Sequence, residues 1–260
     1  MTQNKKIIIG NWKMNFTMNE ASLYLHKLSN LIQAHRSVDV VLAPSVFTLQ
    51  SLSLQINKRQ FKLAAQNFYW RDFGAFTGEV AIAQLKNIVE YAIVGHSERR
   101  HLFHETDKDI RGKVQAALRS GIKPILCVGE TIIDRSAGET RDVLNDQLLT
   151  GLANITSEDI ANCVIAYEPV WAIGTGQSAQ MTDVTKAVAM IRDQIAYLFG
   201  KKASMTVRVV YGGSVTADNA LGFLQIKGVD GLMMGGSSLN AYQFNDIIEK
   251  TYNLMKEGGN

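Results

Sequence analysis

The chain has 260 residues, 46% of them hydrophobic and 20% charged, with 21 glycines and 3 prolines. That composition is globular, and it is large enough for a substantial core. The net charge of +3 is spread as single basic residues and pairs such as Lys201-Lys202, without the basic, aromatic-interleaved stripe of a nucleic-acid reader, so no nucleic-acid partner is expected.

In chain order, eight short apolar runs are predicted to be strands: KIIIGNW, VDVVLAP, FKLAAQN, EYAIVGH, KPILCVGE, CVIAYEP, TVRVVYGG and VDGLMMGG. They are continuous rather than alternating, as strands covered on both faces are. Helical patterns lie between most of them. Ile110, Val114 and Ala117 share a face after Thr106, whose spacing to Asp109 predicts a capping box. Val184, Val188, Ile191, Ile195 and Leu198 define a second amphipathic helix. Gly121 and Gly200 fall where helix C-caps are expected.

Strand and helix in alternation build a parallel sheet, and eight units in this length predict a closed α/β (β/α)₈ barrel. The open doubly wound sheet is the alternative, but the first strand ends in GNWKMN rather than a Gly-x-Gly-x-x-Gly turn. Without a linker or a break in composition, residues 1–260 are read as one domain. Cys127 and Cys163 lie in apolar runs and are expected to be reduced core thiols. No apolar run reaches the ~18 residues of a membrane helix, and the N-terminus lacks a signal-peptide pattern. The expectation is a cytoplasmic protein with no membrane partner.

In such a barrel the chemistry sits at the C-terminal strand ends. The first run delivers Asn11 and Lys13 there, and the fourth His96, Ser97 and Glu98. The sixth delivers Glu168; the seventh and eighth end in Gly212, Gly213 and Ser214, and in Gly235 and Gly236. Singly, each has an ordinary explanation: a solvated lysine, a satisfied histidine, a glycine turn. Their convergence on one mouth argues for a site. Glycine-rich turns let backbone N–H groups approach an anion, and a following helix N-terminus adds positive charge, so the expected ligand is a phosphate ester. Glu168, between Tyr167 and Pro169, is shielded from water and suited to act as a base toward carbon acids. His96 opens HSERR, a predicted helix start, where the dipole favours a neutral imidazole donor. A carboxylate, a neutral donor and a cation suit proton abstraction beside a carbonyl through an enediolate.

GNWKMN, AAQNFYWRDFGAFTGE, VGHSERR, AYEPVWAIGTG, YGGSV and DGLMMGGSSL, in this order from residue 10 to residue 239, resemble triosephosphate isomerases. The general logic of pKa tuning and lid closure in that family is well established. The resemblance implies Glu168 as the base, His96 as the electrophile, and Lys13 and Asn11 as groups contacting the substrate. It implies that Gly174, Ser214, Gly235 and Gly236 cradle the phosphate, and it implies no metal or organic cofactor. Pro169, Val170 and Trp171 resemble one hinge of a lid whose tip is Ala172 to Gly176. Ser97, Glu98, Trp171, Glu130 and Tyr211 would support the site and lid, with Tyr211 and Ser214 latching the closed form. The substrates implied are dihydroxyacetone phosphate and glyceraldehyde 3-phosphate.

The sequence departs from the family pattern at Gln177, Ser178 and Ala179, and near Gln180, where a proline is common. Residues 73–79 resemble the family's long third loop, which inserts into a twin subunit. Thr77 and Phe76 on it, with Gln66 and Asn67 behind, imply a homodimer. Three weaker readings compete: a barrel that binds a phosphorylated ligand without catalysis, a glycosidase pairing Glu168 with Glu130, and a Schiff-base aldolase using Lys13.

Overall fold

The computed structural model describes residues 5–33, 37–173 and 179–257. The elements follow the alternation expected from the apolar runs. In order they are β1 (Lys6–Asn11), α1 (Met18–Leu31), β2 (Val38–Ala43), α2 (Val46–Gln55), β3 (Lys62–Ala65), β4 (Tyr91–Val94), α3 (Ser97–Leu102), α4 (Asp107–Arg119) and β5 (Lys123–Val128). There follow α5 (Ile132–Ala137), α6 (Thr140–Gly151), β6 (Val164–Tyr167), α7 (Met181–Phe199), α8 (Lys201–Thr206), β7 (Arg208–Tyr211), α9 (Ala220–Gln225), β8 (Gly231–Met234) and α10 (Ala241–Glu257). The eight strands close into one parallel barrel, β8 pairing back onto β1 with Ile7 opposite Gly231. Between β3 and β4 only a 3₁₀ turn, Ile82–Leu85, stands in for the helix.

Why the strands read as unbroken apolar runs is visible in how the core divides. Ile7, Ile9, Val41, Ala64, Ile93, Ile125, Cys127, Val164, Ala166 and Val210 pack inside the barrel. The alternate residues, such as Ile8, Val40, Leu42, Ala92, Leu126, Ile165 and Val209, pack outward against the helices. A strand between two apolar layers has no polar face to show.

The helices present single apolar stripes. Val184, Val188, Ile191 and Ile195 of α7 are buried, each contributing about 1.5–3 kcal/mol of burial, while Leu198 is half-buried. α4 buries Ile110, Val114 and Ala117 and starts with the expected capping box. The Asp109 N–H donates to Thr106 Oγ1 (3.3 Å), and the Thr106 N–H donates to Asp109 Oδ2 (3.2 Å). Gly121 and Gly200 follow α4 and α7 with φ of +73° and +89°. Cys127 and Cys163 are buried free thiols. No helix among the described residues is long and apolar enough to cross a membrane.

Candidate active site

The C-terminal ends of the strands surround a cavity of about 580 Å³. Twelve residues singled out in the sequence line it: Asn11, Lys13, His96, Ser97, Glu98, Glu168, Val170, Gly212, Gly213, Ser214, Gly235 and Gly236. They come from β1, β4, β6, β7 and β8, so only barrel closure makes them neighbours.

Glu168 follows β6 directly and is 2% exposed. Its main chain is locked, because its N–H donates to the Val128 carbonyl at 2.8 Å. Its carbonyl fills the place where residue 129 would carry a side chain: a Cβ on Gly129 would lie 1.7 Å from that oxygen, so only glycine fits. The Ser97 N–H donates to Glu168 Oε2 at 2.9 Å. Oε1 lies 3.1 Å from His96 Nε2 but outside hydrogen-bond alignment, so it is a buried carboxylate oxygen without a donor among the described residues. That atom has lone pairs open to a ligand in the cavity. Beneath it, burial and then the adjoining Glu168 carboxylate push the Cys127 thiol well above its ordinary value.

His96 is the N-cap of α3, and the Glu98 N–H donates to its Nδ1 at 3.2 Å. Accepting that bond requires a lone pair on Nδ1, which assigns the ring hydrogen to Nε2 and makes the imidazole neutral. The Glu98 carboxylate stands farther off, 3.7 Å from Nδ1, and is taken by Lys13 Nζ at 2.6 Å. Nε2–H is therefore a donor directed into the mouth beside Glu168.

Lys13 has φ of +53°, a left-handed conformation that a side chain tolerates only when its surroundings impose it. Two contacts do so. Its N–H donates to Asn11 Oδ1 (3.1 Å), and its carbonyl accepts from Gln66 Nε2 (2.9 Å). Gln66 also donates to the Ala43 carbonyl at 2.8 Å, tying the ends of β1 and β2 together. The Lys13–Glu98 pair is partly exposed and contributes about 0–1 kcal/mol, so it orients the ammonium more than it stabilises the fold.

After β8 a 3₁₀ turn begins at Gly236, bringing successive backbone amides to the mouth. After β7 the next helix begins only at Ala220, so the dipole expected behind Ser214 is absent there and the turn itself supplies the donors. Gly174 lies outside the described residues, as do Gln177 and Ser178.

Trp171 and Ala172 lie in a 3₁₀ turn, Val170–Ala172. Trp171 Nε1 donates to Glu130 Oε1 at 2.8 Å, the Tyr167 hydroxyl donates to the same oxygen at 3.1 Å, and Arg135 stacks over the indole at 4.3 Å. Glu130 is 0% exposed, and burial raises its carboxyl above the ordinary range. It anchors Trp171 and does not face the mouth, which removes the second carboxylate from the glycosidase reading. Ser214 Oγ donates to the Ala172 carbonyl at 3.4 Å, whereas the Tyr211 hydroxyl is buried without a partner among the described residues. The Gln180 N–H donates to Asp183 Oδ2 at 3.2 Å, a bond that proline would forgo.

On the third loop, Phe73 is 89% exposed, Thr77 is exposed, and Phe76 packs on Tyr69 with centroids 4.6 Å apart. Asn67 Oδ1 accepts from Lys113 Nζ at 2.7 Å. Arg100 was not singled out in the sequence. Its guanidinium donates to the carbonyls of Gly95 (2.8 Å) and Cys127 (3.1 Å), holding the ends of β4 and β5 behind His96 and Glu168. An arginine beside another in HSERR gives no sign of which one turns inward.

Residues 6–251 match the family model described as Triosephosphate isomerase. The chain belongs to that family. It is 43% identical over 250 residues to a protein named triosephosphate isomerase in Chlamydia felis, covering 95% of this chain and 98% of that one. A protein of the same name in Citrifermentans bemidjiense is 43% identical over 245 residues (94% and 98%), and one in Lactococcus lactis subsp. cremoris is 41% identical over 246 (94% and 98%). The activity of the chain is accordingly the isomerisation of a triose phosphate, and neither the non-catalytic nor the glycosidase reading is favoured.

Proposed function

We propose that Glu168 carries the proton between the two adjacent carbons of dihydroxyacetone phosphate and glyceraldehyde 3-phosphate. Its carboxylate takes the C–H proton and the electron pair moves into the carbonyl to form an enediolate. The hydroxyl proton of the first carbon passes to the former carbonyl oxygen, and Glu168 returns its proton to the neighbouring carbon as the first oxygen becomes the new carbonyl. His96 Nε2–H hydrogen-bonds to the oxygens where charge develops. Lys13 and Asn11 hold the substrate, and Lys13 offsets negative charge at the phosphate and enediolate. Backbone N–H groups of Ser214, Gly235 and Gly236, with Gly174 on the lid, cradle the phosphate. The reaction relocates one carbon-bound and one oxygen-bound proton with no net gain or loss of electrons, so these residues suffice without a cofactor.

The observation that carries this reading is the pairing at 3.1 Å of a buried carboxylate oxygen that lacks a donor with an Nε2–H whose tautomer is set by the Glu98 amide. In the described arrangement Glu168 Oε2 is held by the Ser97 N–H, so reaching substrate requires that bond to be exchanged. Movement of the segment that follows Glu168 would make the exchange and exclude water together. The test is turnover of glyceraldehyde 3-phosphate through a coupled dehydrogenase, with Glu168→Gln beside the native chain. Loss by several powers of ten supports the base; unchanged turnover removes Glu168 from that role.

We further propose a homodimer formed through residues 73–79 in a reducing, cytoplasmic compartment. Exposed Phe73 and, near the mouth, Met14 at 98% exposure support an apolar contact with a second copy. Light scattering of the native chain should give twice the monomer mass, and Phe73→Glu with Met14→Glu should shift it to monomer.

A further inference from the structure

At the end of the barrel opposite the mouth, the starts of β3, β4 and β5 and the turns leading into them enclose a cleft of about 440 Å³. Four lysines line it, Lys58, Lys62, Lys86 and Lys123, against a single carboxylate, Glu90. Lys62 is committed to acids: its Nζ lies 3.3 Å from Glu90 Oε2 and 3.6 Å from Asp39 Oδ1. Asp39 is committed in turn to Arg208, at 2.9 Å. Lys58, Lys86 and Lys123 then carry no ion pair among the described residues.

Lys58 and Lys86 are exposed, and alone each is an ordinary surface lysine. Lys123 is different because its place is fixed. It is half-buried, with Nζ 5.4 Å from the centroid of the Tyr91 ring, which Lys62 and Arg208 also face at 6.0 and 5.8 Å. Three cations around one ring repel each other. Burial first, then the charges of Lys62 and Arg208, draw the Lys123 ammonium below its usual value. An anion placed there would be attracted chiefly by Lys123, since Lys62 and Arg208 are already paired with Glu90 and Asp39, in surroundings that screen less than open water.

The rest of the lining mixes apolar side chains, Phe61, Leu63, Ile88 and Ile122 among them, with the polar Asn87 and Ser120. The backbone N–H groups of Ile88, Val89, Glu90, Ile122 and Lys123 are all donated to other carbonyls. Recognition of an anion therefore falls to side chains, the ammonium groups first with Asn87 and Ser120 beside them, and the apolar residues of the lining meet the body of the ligand.

We propose that this cleft is a second ligand site, for a small organic anion bearing a phosphate or carboxylate on an apolar body. Lys123 holds the acidic group with Lys58 and Lys86 at the rim, and the body lies along the apolar lining. The site is separated from the mouth by the length of the strands, about 15–20 Å for five or six residues, so its occupancy does not require the mouth to be empty.

The test uses the full chain with its lysines reductively ¹³C-methylated, which keeps their charge, and phenyl phosphate as the probe. The methyl signals of Lys58, Lys86 and Lys123, assigned with Lys→Arg variants, should move together along one saturable curve. Lys123→Gln should weaken that curve about tenfold or more while leaving triose turnover at the native rate. Added potassium chloride should weaken it further, and inorganic phosphate should bind less tightly than phenyl phosphate. The proposal is overturned if only the Lys13 signal moves, since that is the mouth. It is also overturned if Lys123→Gln binds as the native chain does, or if inorganic phosphate binds equally well. Should Lys123→Gln fail to fold, Lys58→Gln at the exposed rim is expected to weaken the same curve, and an unchanged curve there overturns the proposal.

Discussion

The two ends of this barrel treat polar groups in opposite ways. At the mouth, Glu168 Oε1 and the Tyr211 hydroxyl are buried without hydrogen-bond partners among the described residues, and Lys13 is held in a left-handed conformation. At the base, Arg208 bonds Asp39 (2.9 Å) and the Tyr91 hydroxyl (2.8 Å), Arg192 bonds Asp230 (2.7 Å), and Lys6 Nζ is spent on the carbonyls of Leu224 and Val229. Groups that must bind a substrate have to be left incomplete by the protein; groups that hold the strands together have to be completed. The cleft lysines are the exception at the base, and for that reason they draw attention as a ligand site.

The largest expected effect would break this contrast at the mouth. Glu168→Gln should lower kcat by a factor on the order of 10²–10⁴, the range for a general base. Its melting temperature should be unchanged or higher, because a buried carboxylate oxygen without a donor has been neutralised. A large drop in melting temperature instead would mean that the carboxylate serves the fold. The base should respond the other way. Asp39→Ala leaves the largely buried Arg208 without its carboxylate and should cost about 3 kcal/mol in urea unfolding, while kcat/KM of the folded enzyme stays within about twofold.

Glu130 sharpens the comparison, because it lies behind the mouth with Oε1 bonded to Trp171 and Tyr167 while Oε2 is buried without a partner among the described residues. Glu130→Gln keeps an acceptor for Trp171 and Tyr167 and removes a charge that burial disfavours. It should change stability by less than about 1 kcal/mol near neutral pH, and Trp171 emission should stay close to native. Because the folded carboxyl titrates above its unfolded value, its contribution is whole below about pH 4.3 and is lost as pH rises through the folded value. The native chain should thus lose slightly more stability than the variant between pH 4 and 7.

The smallest effect concerns the thiols. Burial pushes Cys163 up to about 12. The unfolded thiol, near 8.5, loses its proton first, so its contribution is whole below about pH 8.5 and is lost as pH rises toward 12. Cys163→Ala should flatten the fall of melting temperature between pH 9 and 11. An unchanged slope would assign that fall to other groups, the buried tyrosines foremost.

Much of this was legible in the chain. Each of the eight apolar runs is a strand, because a strand packed on both faces has no polar residue to interrupt it. The capping box at Thr106 and Asp109 is local chemistry, complete within four residues. The candidate residues at the strand ends were readable because parallel strands bring all their C-termini to one side, so Asn11, Lys13, His96 and Glu168 had to share it. Closure of the barrel also followed from the count of units.

What the linear order could not reveal depends on which side chain turns toward which. Glu130 reads as a second carboxylate for sugar chemistry, yet it is spent on Trp171 and Tyr167. Cys127 reads as one more core residue, yet inward-facing register sets it beneath Glu168. Arg100 is chosen over Arg99 to clamp Gly95 and Cys127 only by the turn of α3, and Lys123 meets Lys62 and Arg208 only because three strand starts converge. The sequence by itself determined the periodicity, the caps and the end of the barrel where the chemistry lies, since those rest on near neighbours and on strand direction. Tertiary packing alone decided the His96 tautomer, the unpaired oxygen of Glu168 and the surplus of positive charge at the base. Each of these is set by distances of about 3–6 Å between residues tens of positions apart, which no local pattern encodes.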